Sequence, residues 1–268
     1  MKIGVTLRNM GLQSSAEIMR TGALAAQELK FESIWVTDHI AIPPDDAEGS
    51  GGRYTDTLGT LAWLAGLTNT IKLGAGVLIL PYRPKLPTAK LIATIQELSG
   101  ERLILGVGTG WMDAEFRALG VPRSNRGKLT DEMLDFLQTC FSQDEVSLNE
   151  QSFLFKPRPN KPEILVGGKA KFAHKRALHY ADGWLPMAKS PAQIEADVLL
   201  YKEQCAQQGK PGNVTVMTSL PIEDQDKCSL LLDAYKSIGV DRIVCAVGYQ
   251  TATEYSQKLG KLSEVGLE

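Results

Sequence analysis

The chain has 268 residues, 43% of them hydrophobic and 22% charged, and a formal net charge of -2. This is the composition of a globular protein able to bury a large core; it argues against disorder and against nucleic-acid binding, which usually needs a clustered basic excess. No run approaches the roughly 18 apolar residues of a membrane span, and the apolar stretch at the N-terminus is too short for a signal peptide. Cys140, Cys205, Cys228 and Cys245 are scattered and form neither a CxxC pair nor a disulfide framework. The expectation is a cytoplasmic protein with reduced thiols, no metal, and neither membrane nor nucleic acid as partner.

Along the chain, short β-branched runs alternate with longer segments of helical period, the pattern of stacked strand–helix units around a parallel sheet. Eight such units are expected, with strands starting near Lys2, Ser33, Ile71, Arg102, Glu163, Asp182, Asn213 and Asp241. Most strands read as nearly continuous apolar runs, such as Ser33-Ile34-Trp35-Val36-Thr37, as strands covered on both faces should. Ser14-Ser15-Ala16-Glu17 has the form of a capping box opening the first helix, and Gly100 that of a left-handed cap closing the third. Eight units leave about 33 residues each, enough for a strand, a helix and two loops. No Pro/Gly/Ser-rich linker divides the chain, so a single-domain (β/α)8 TIM barrel over residues 1–268 is preferred to a doubly wound two-domain protein. Residues 142 to 162 are the least regular and are expected to form a loop or short hairpin at the barrel edge.

Barrel enzymes carry their chemistry at the C-terminal ends of the strands, so the residues just past each apolar run are the candidates. The second strand ends in Thr37-Asp38-His39, and His39 is the only one of three histidines at a strand end, suited to general acid or base work. A turn capped by Asp38 beside a solvated imidazole is the ordinary alternative. His174 and His179, five apart on a helix, face different sides, lack the HExxH spacing, and are expected at the surface. Gly74 and Gly76 in the third strand imply either a bulge where a ligand nears the backbone or relief of crowding in the core.

The fourth strand runs into Gly108-Thr109-Gly110-Trp111, which has the look of a nucleotide loop. A Rossmann fingerprint would need Gly or Ala where Asp113 stands, and a methyltransferase using S-adenosylmethionine usually has an acid where Ile104 stands. Both would place the motif on the first strand. The fifth strand ends in Gly167-Gly168-Lys169 directly before a helix; backbone N–H groups, the helix dipole and the lysine charge together suit a phosphate, although a plain turn has the same composition.

Taken together, Ser33 to His39, the third-strand segment through Pro84, Leu98 to Trp111, and Gly167-Gly168 followed by Ala181-Asp182-Gly183-Trp184 resemble the ordered blocks of the luciferase-like monooxygenases. The resemblance runs from about Lys2 to Met187. It implies a barrel mouth that holds reduced FMN or coenzyme F-420, with the ring system against Gly76-Val77, contacts from Asp38, Gly108 and Gly110, and the phosphate on Gly167, Gly168 and Lys169. It places His39 at the family's catalytic histidine, and Trp111 and Arg83 beside the substrate. The favoured expectation is a monooxygenase acting with O2 on a small organic substrate, supplied with reduced FMN by a separate flavin reductase, and assembled as a homodimer. The alternatives are hydride transfer with F-420 and a non-catalytic flavin-binding protein. FMN is placed first because Lys outnumbers Arg, unlike the Arg-rich chains of actinobacteria in which the deazaflavin is common. F-420-dependent sugar-phosphate dehydrogenases place a glutamate where this chain has Trp111. Glu115, one helical turn on, is either its substitute or part of a solvated helix face. Arg83 reaches either an anionic substrate or a surface acid, and Arg126 is expected to pair with Asp131 and Glu132.

Overall fold

A computed structural model describes residues 1–266. In chain order the first half comprises β1 (Lys2–Thr6), α1 (Ala16–Glu28), β2 (Ser33–Val36), α2 (Thr57–Leu67), β3 (Lys72–Ile79), α3 (Lys85–Leu98), β4 (Leu103–Gly108), α4 (Asp113–Ala118) and α5 (Arg126–Ser142). There follow β5 (Glu145–Leu148), β6 (Gln151–Leu154), β7 (Glu163–Gly167), α6 (Ala170–Tyr180), β8 (Gly183–Leu185), α7 (Glu195–Gln207), β9 (Asn213–Thr218), α8 (Gln225–Ser237), β10 (Arg242–Cys245) and α9 (Ala252–Gly266). Eight parallel strands close in the order β1-β10-β9-β8-β7-β4-β3-β2, so every strand has two partners and no edge is left open. The eight expected strands are these eight, each starting within one residue of its expected position. The irregular stretch after α5 holds the antiparallel β5–β6 hairpin, outside the barrel.

The interior is filled by side chains and is not a pore. Trp35 on β2 lies wholly buried across the axis with Ile104, Leu165, Leu185, Met217 and Val244, and its indole N–H donates to Ser33 Oγ at 2.7 Å, so burial leaves no polar atom unpaired. A Cβ on Gly74 would fall 2.3 Å from the Trp35 ring. Gly74 therefore makes room for the core, and Gly76 does so too, since a Cβ there would lie 2.5 Å from Met217 Cε and 3.3 Å from the Trp35 ring.

The N-terminal end of the barrel is closed by charge. Arg242, at the start of β10, donates to Glu32 at 2.9 and 3.0 Å and to Glu163 at 3.0 and 3.1 Å, tying four parts of the ring base together with Thr215. Arg102 is buried before β4 with no acid, and its guanidinium donates instead to the carbonyls of Ala65, Thr68, Ile71 and Ser99 and to Thr68 Oγ1.

Several local expectations change. Ser15, not Ser14, caps α1 and accepts from Ile18 N–H, so the residue at the third helical position is Ile18 and the glutamate arm of a capping box is missing. Gly100 has φ 69° directly after α3, as a left-handed cap requires. His179 is exposed, but His174 is 7% exposed and packs edge-on against Trp184 at 4.4 Å, because it borders the Ala173/Ala177 stripe that α6 buries. Arg126 donates to the Arg123 carbonyl and pairs with neither acid: Asp131 is taken by Arg176, and Glu132 by Lys85 and Lys128.

Candidate functional site

The register of β3 against β4 slips between Ala75 and Leu78, and the peptide Gly76-Val77 within that slip is cis. The bulge turns the Val77 side chain over the C-terminal end of the barrel. Added Cβ atoms on Gly108 and Gly167 would lie 2.6 and 2.7 Å from the Val77 methyls, so these two glycines are bare because Val77 rests on their backbones. Val77 is half-buried, packing below on the Trp35 cluster and sideways on Ile79, Tyr82 and Phe116. It forms an apolar floor at the mouth.

Asp38 fixes that floor. One oxygen accepts from Ile79 N–H at 2.8 Å and Arg83 Nη1 at 2.6 Å, the other from Thr57 Oγ1 at 2.9 Å and Arg83 Nη2 at 2.8 Å. The carboxylate is buried and surrounded by protein donors, and Arg83 completes its own set with Asp56 at 2.9 Å. Burial alone would lower the Arg83 pKa, and the fork onto Asp38 reverses this. Both side chains act as a clamp joining the ends of β2 and β3; the acids that Arg83 reaches are the buried Asp38 and the exposed Asp56.

Beside the clamp, Glu115 on α4 is 1% exposed and makes four contacts. Oε1 accepts from the N–H groups of Ile40 at 2.5 Å and Ala41 at 3.0 Å; Oε2 accepts from Tyr82 Oη at 2.9 Å and lies 3.0 Å from His39 Nδ1. Desolvation pushes its pKa up, yet the two N–H groups, the phenol and His39 together hold it below the ordinary carboxylate value. Burial and the Glu115 charge push Tyr82 well above its ordinary value, so its hydroxyl keeps the proton that it donates. An ionised carboxylate carries no proton, so the hydrogen between Glu115 and His39 belongs to Nδ1, and Nε2 is the ring nitrogen without a protein partner among the described residues. The solvated-helix expectation for Glu115 is thereby excluded. Around His39 stand Tyr54, with ring centroids 5.0 Å apart, and Trp111, at 6.2 Å and 65% exposed on the rim.

Asn9, just after β1, was not anticipated. It donates to the carbonyls of Thr37 and Thr55 and accepts from Thr37 N–H, bracing the segment that carries His39. Tyr82 was likewise missed, although it stood in the strand-three segment.

Across the mouth, Gly168 has φ 120° and open space where a Cβ would point. Lys169 is exposed and is the N-cap of the 11-residue α6 without supplying a side-chain acceptor; Phe172 N–H donates to the Lys169 carbonyl at 3.0 Å, and the N–H groups of Ala170 and Lys171 have no protein acceptor among the described residues. Gly110 turns at φ 78° against Phe116, which positions α4 and hence Glu115. Because all eight strands are parallel, His39, Val77 and Gly168 share one end of the barrel. A groove of about 690 Å³ on the outside, between α6 and α7, contains none of the mouth residues around His39, so the site is assigned by chemistry and not by volume. Among the described residues, no cluster of His, Cys, Asp and Glu suits a metal, and no helix is long and apolar enough to cross a membrane. All four cysteines are free and buried.

The model of a family described as luciferase-like monooxygenase matches residues 2–236. The FMNH(2)-dependent dimethylsulfone monooxygenase of Pseudomonas putida is 26% identical over 236 residues, covering 77% of this chain and 64% of that protein. The monooxygenase RslO1 of Streptomyces bottropensis superposes with a TM-score of 0.83 at 17% identity, over 100% of this chain and 99% of its own. An F420-dependent secondary alcohol dehydrogenase superposes with a TM-score of 0.79 at 14% identity, over 98% and 97%.

Proposed function

As the chain belongs to the luciferase-like monooxygenase family and is an oxidoreductase, we propose that it is a monooxygenase using reduced FMN and O2 on a small organic substrate, with the flavin delivered by a separate reductase. The observation that carries this reading is the pair of buried Glu115 and half-buried His39 beside the apolar floor of Val77, across the mouth from the start of α6, which no side chain caps. The residues fit such a cofactor: Val77 offers a flat apolar support, while Gly168, Lys169 and the first turn of α6 offer N–H groups and positive charge to a phosphate. When bound, reduced FMN supplies the electrons that activate O2.

The chain's own contribution is positioning and proton handling. Asp38 and Arg83 hold the bulge in place, Gly108 and Gly167 let Val77 sit low, and Trp111 and Tyr54 wall the space above His39. With Nδ1–H committed to Glu115, His39 Nε2 accepts a proton from the substrate or a hydrogen bond from it. The same free Nε2 also favours a second reading, hydride transfer to F-420 from an alcohol, in which His39 takes the hydroxyl proton as the hydride leaves carbon.

Replacing His39 by Ala separates these enzymes from a passive flavin carrier. Turnover should fall by about 100- to 10,000-fold, the usual loss for a general acid or base, while FMN or F-420 binding changes little. Normal turnover by the variant would remove His39 from the chemistry.

A further inference from the structure

Arg8 lies two residues beyond β1, at the same end of the barrel as His39. Its backbone N–H donates to Tyr249 Oη at 2.9 Å, but its guanidinium has no partner among the described residues. Nε is buried without an acceptor, the only arginine nitrogen so placed among those residues. Arg83, Arg102 and Arg242 are saturated by carboxylates or carbonyls, and Arg53, in the loop after β2, donates to the hydroxyl and carbonyl of Ser14. A buried donor left unpaired is costly, so Arg8 is held in the form a ligand completes.

Topology identifies which ligand. In the ring order, β1 and β7 are four strands apart in either direction, so Arg8 stands diametrically opposite Gly168 and the start of α6. A phosphate on that cradle is out of its reach. Arg8 instead adjoins the substrate side: Tyr54 and Tyr249 both lie within range of its charge, and the Tyr54 ring touches His39. Trp111 and Ile40, 65% and 45% exposed, give the same rim an apolar surface.

We propose that Arg8 binds an anionic group on the organic substrate, a carboxylate or sulfonate, and thereby sets an apolar body over His39 and Val77. The planar fork of a guanidinium matches a carboxylate with two parallel N–H donors. The substrate class is therefore an amphipathic organic acid, with its anion on the β1 side and its reacting carbon toward the barrel axis. This assignment rests on the proposed reading of the mouth as the reaction site.

The test uses benzoate and its neutral isostere benzamide as probes, titrated calorimetrically into the full chain and into Arg8→Gln and Arg8→Lys, with FMN and F-420 titrated into the same three proteins. Benzoate should bind the parent at least about tenfold more tightly than benzamide, and Arg8→Gln should lose about 10- to 100-fold in benzoate affinity only, the effect of one charge-assisted contact. Arg8→Lys should recover part of the loss, and all three proteins should melt within a few degrees of one another. Equal binding of the two probes, no benzoate binding at all, or a loss in Arg8→Gln that falls on the cofactor would overturn the assignment. If neither cofactor binds the parent protein, the proposed function fails, while the benzoate comparison still decides the role of Arg8.

Discussion

Removing the Glu115 carboxylate should loosen the loop that carries His39, and the size of the effect follows from its contacts. In Glu115→Ala, the N–H groups of Ile40 and Ala41 and the Tyr82 hydroxyl lose their acceptor together. Buried unpaired donors cost roughly 1–3 kcal/mol each. Ile40 is 45% exposed, so its loop can admit water, and the low end, about 3 kcal/mol in total, is expected. For a chain of this size that lowers Tm by about 6–12 °C, taking about 2–4 °C per kcal/mol. Glu115→Gln keeps an oxygen for the two backbone donors but turns an amide toward Tyr82 and His39, and should cost about half as much, about 3–6 °C. Scanning calorimetry measures both, and ¹⁵N spectra of the imidazole report which ring nitrogen of His39 carries hydrogen. A drop under about 2 °C in Glu115→Ala, or a parent spectrum with the proton on Nε2, would refute the reasoning.

Other consequences concern the floor, the barrel base and acid. Gly167→Ala would put a methyl 2.7 Å from Val77 Cγ1, lifting the floor; cofactor affinity, read by fluorescence titration, should fall at least about tenfold while the fold survives, since small overpacking costs about 1–3 kcal/mol. Arg242→Ala strands Glu163 without a cation and leaves Glu32 only Lys72 at 3.3 Å, and should destabilise by about 3 kcal/mol in urea denaturation, with no change in cofactor affinity. Glu115 and Glu32 both titrate below their ordinary value of 4.5 despite burial, the first through backbone donors and Tyr82, the second through Arg242. Their stabilisation is therefore complete above pH 4.5 and is lost as pH falls through the lowered folded values; Tm should decline over that range, and less steeply in Glu115→Gln.

The barrel was legible because each strand is covered on both faces and so reads as an apolar run, with glycines and caps marking the ends. The position of His39 and of the twin glycines after the fifth strand was legible for the same reason, since strand ends are countable; the glycines of the third strand left a bulge and core relief both open, and only the family resemblance singled out Gly76-Val77. Charge partners were not. Whether Arg83 meets a substrate or Asp38, and whether Glu115 faces water or His39, depends on which loops converge above the barrel, and sequence spacing carries no record of that convergence. Burial of His174 was readable in principle, since it borders the Ala173/Ala177 stripe, but two histidines five apart drew attention to their mutual spacing and away from that stripe. Arg8 was hidden by its position: it follows a strand end that shows no motif, and its significance lies in the partner it lacks.

The proposed function depends on a cofactor site across the mouth from Gly168 to His39. Titration of the purified protein with FMN and with F-420, each oxidised and reduced, tests it most directly: one of them should bind at one molecule per chain, tightest when reduced, and lose affinity in Gly167→Ala. Binding of S-adenosylmethionine with no binding of either flavin would contradict it.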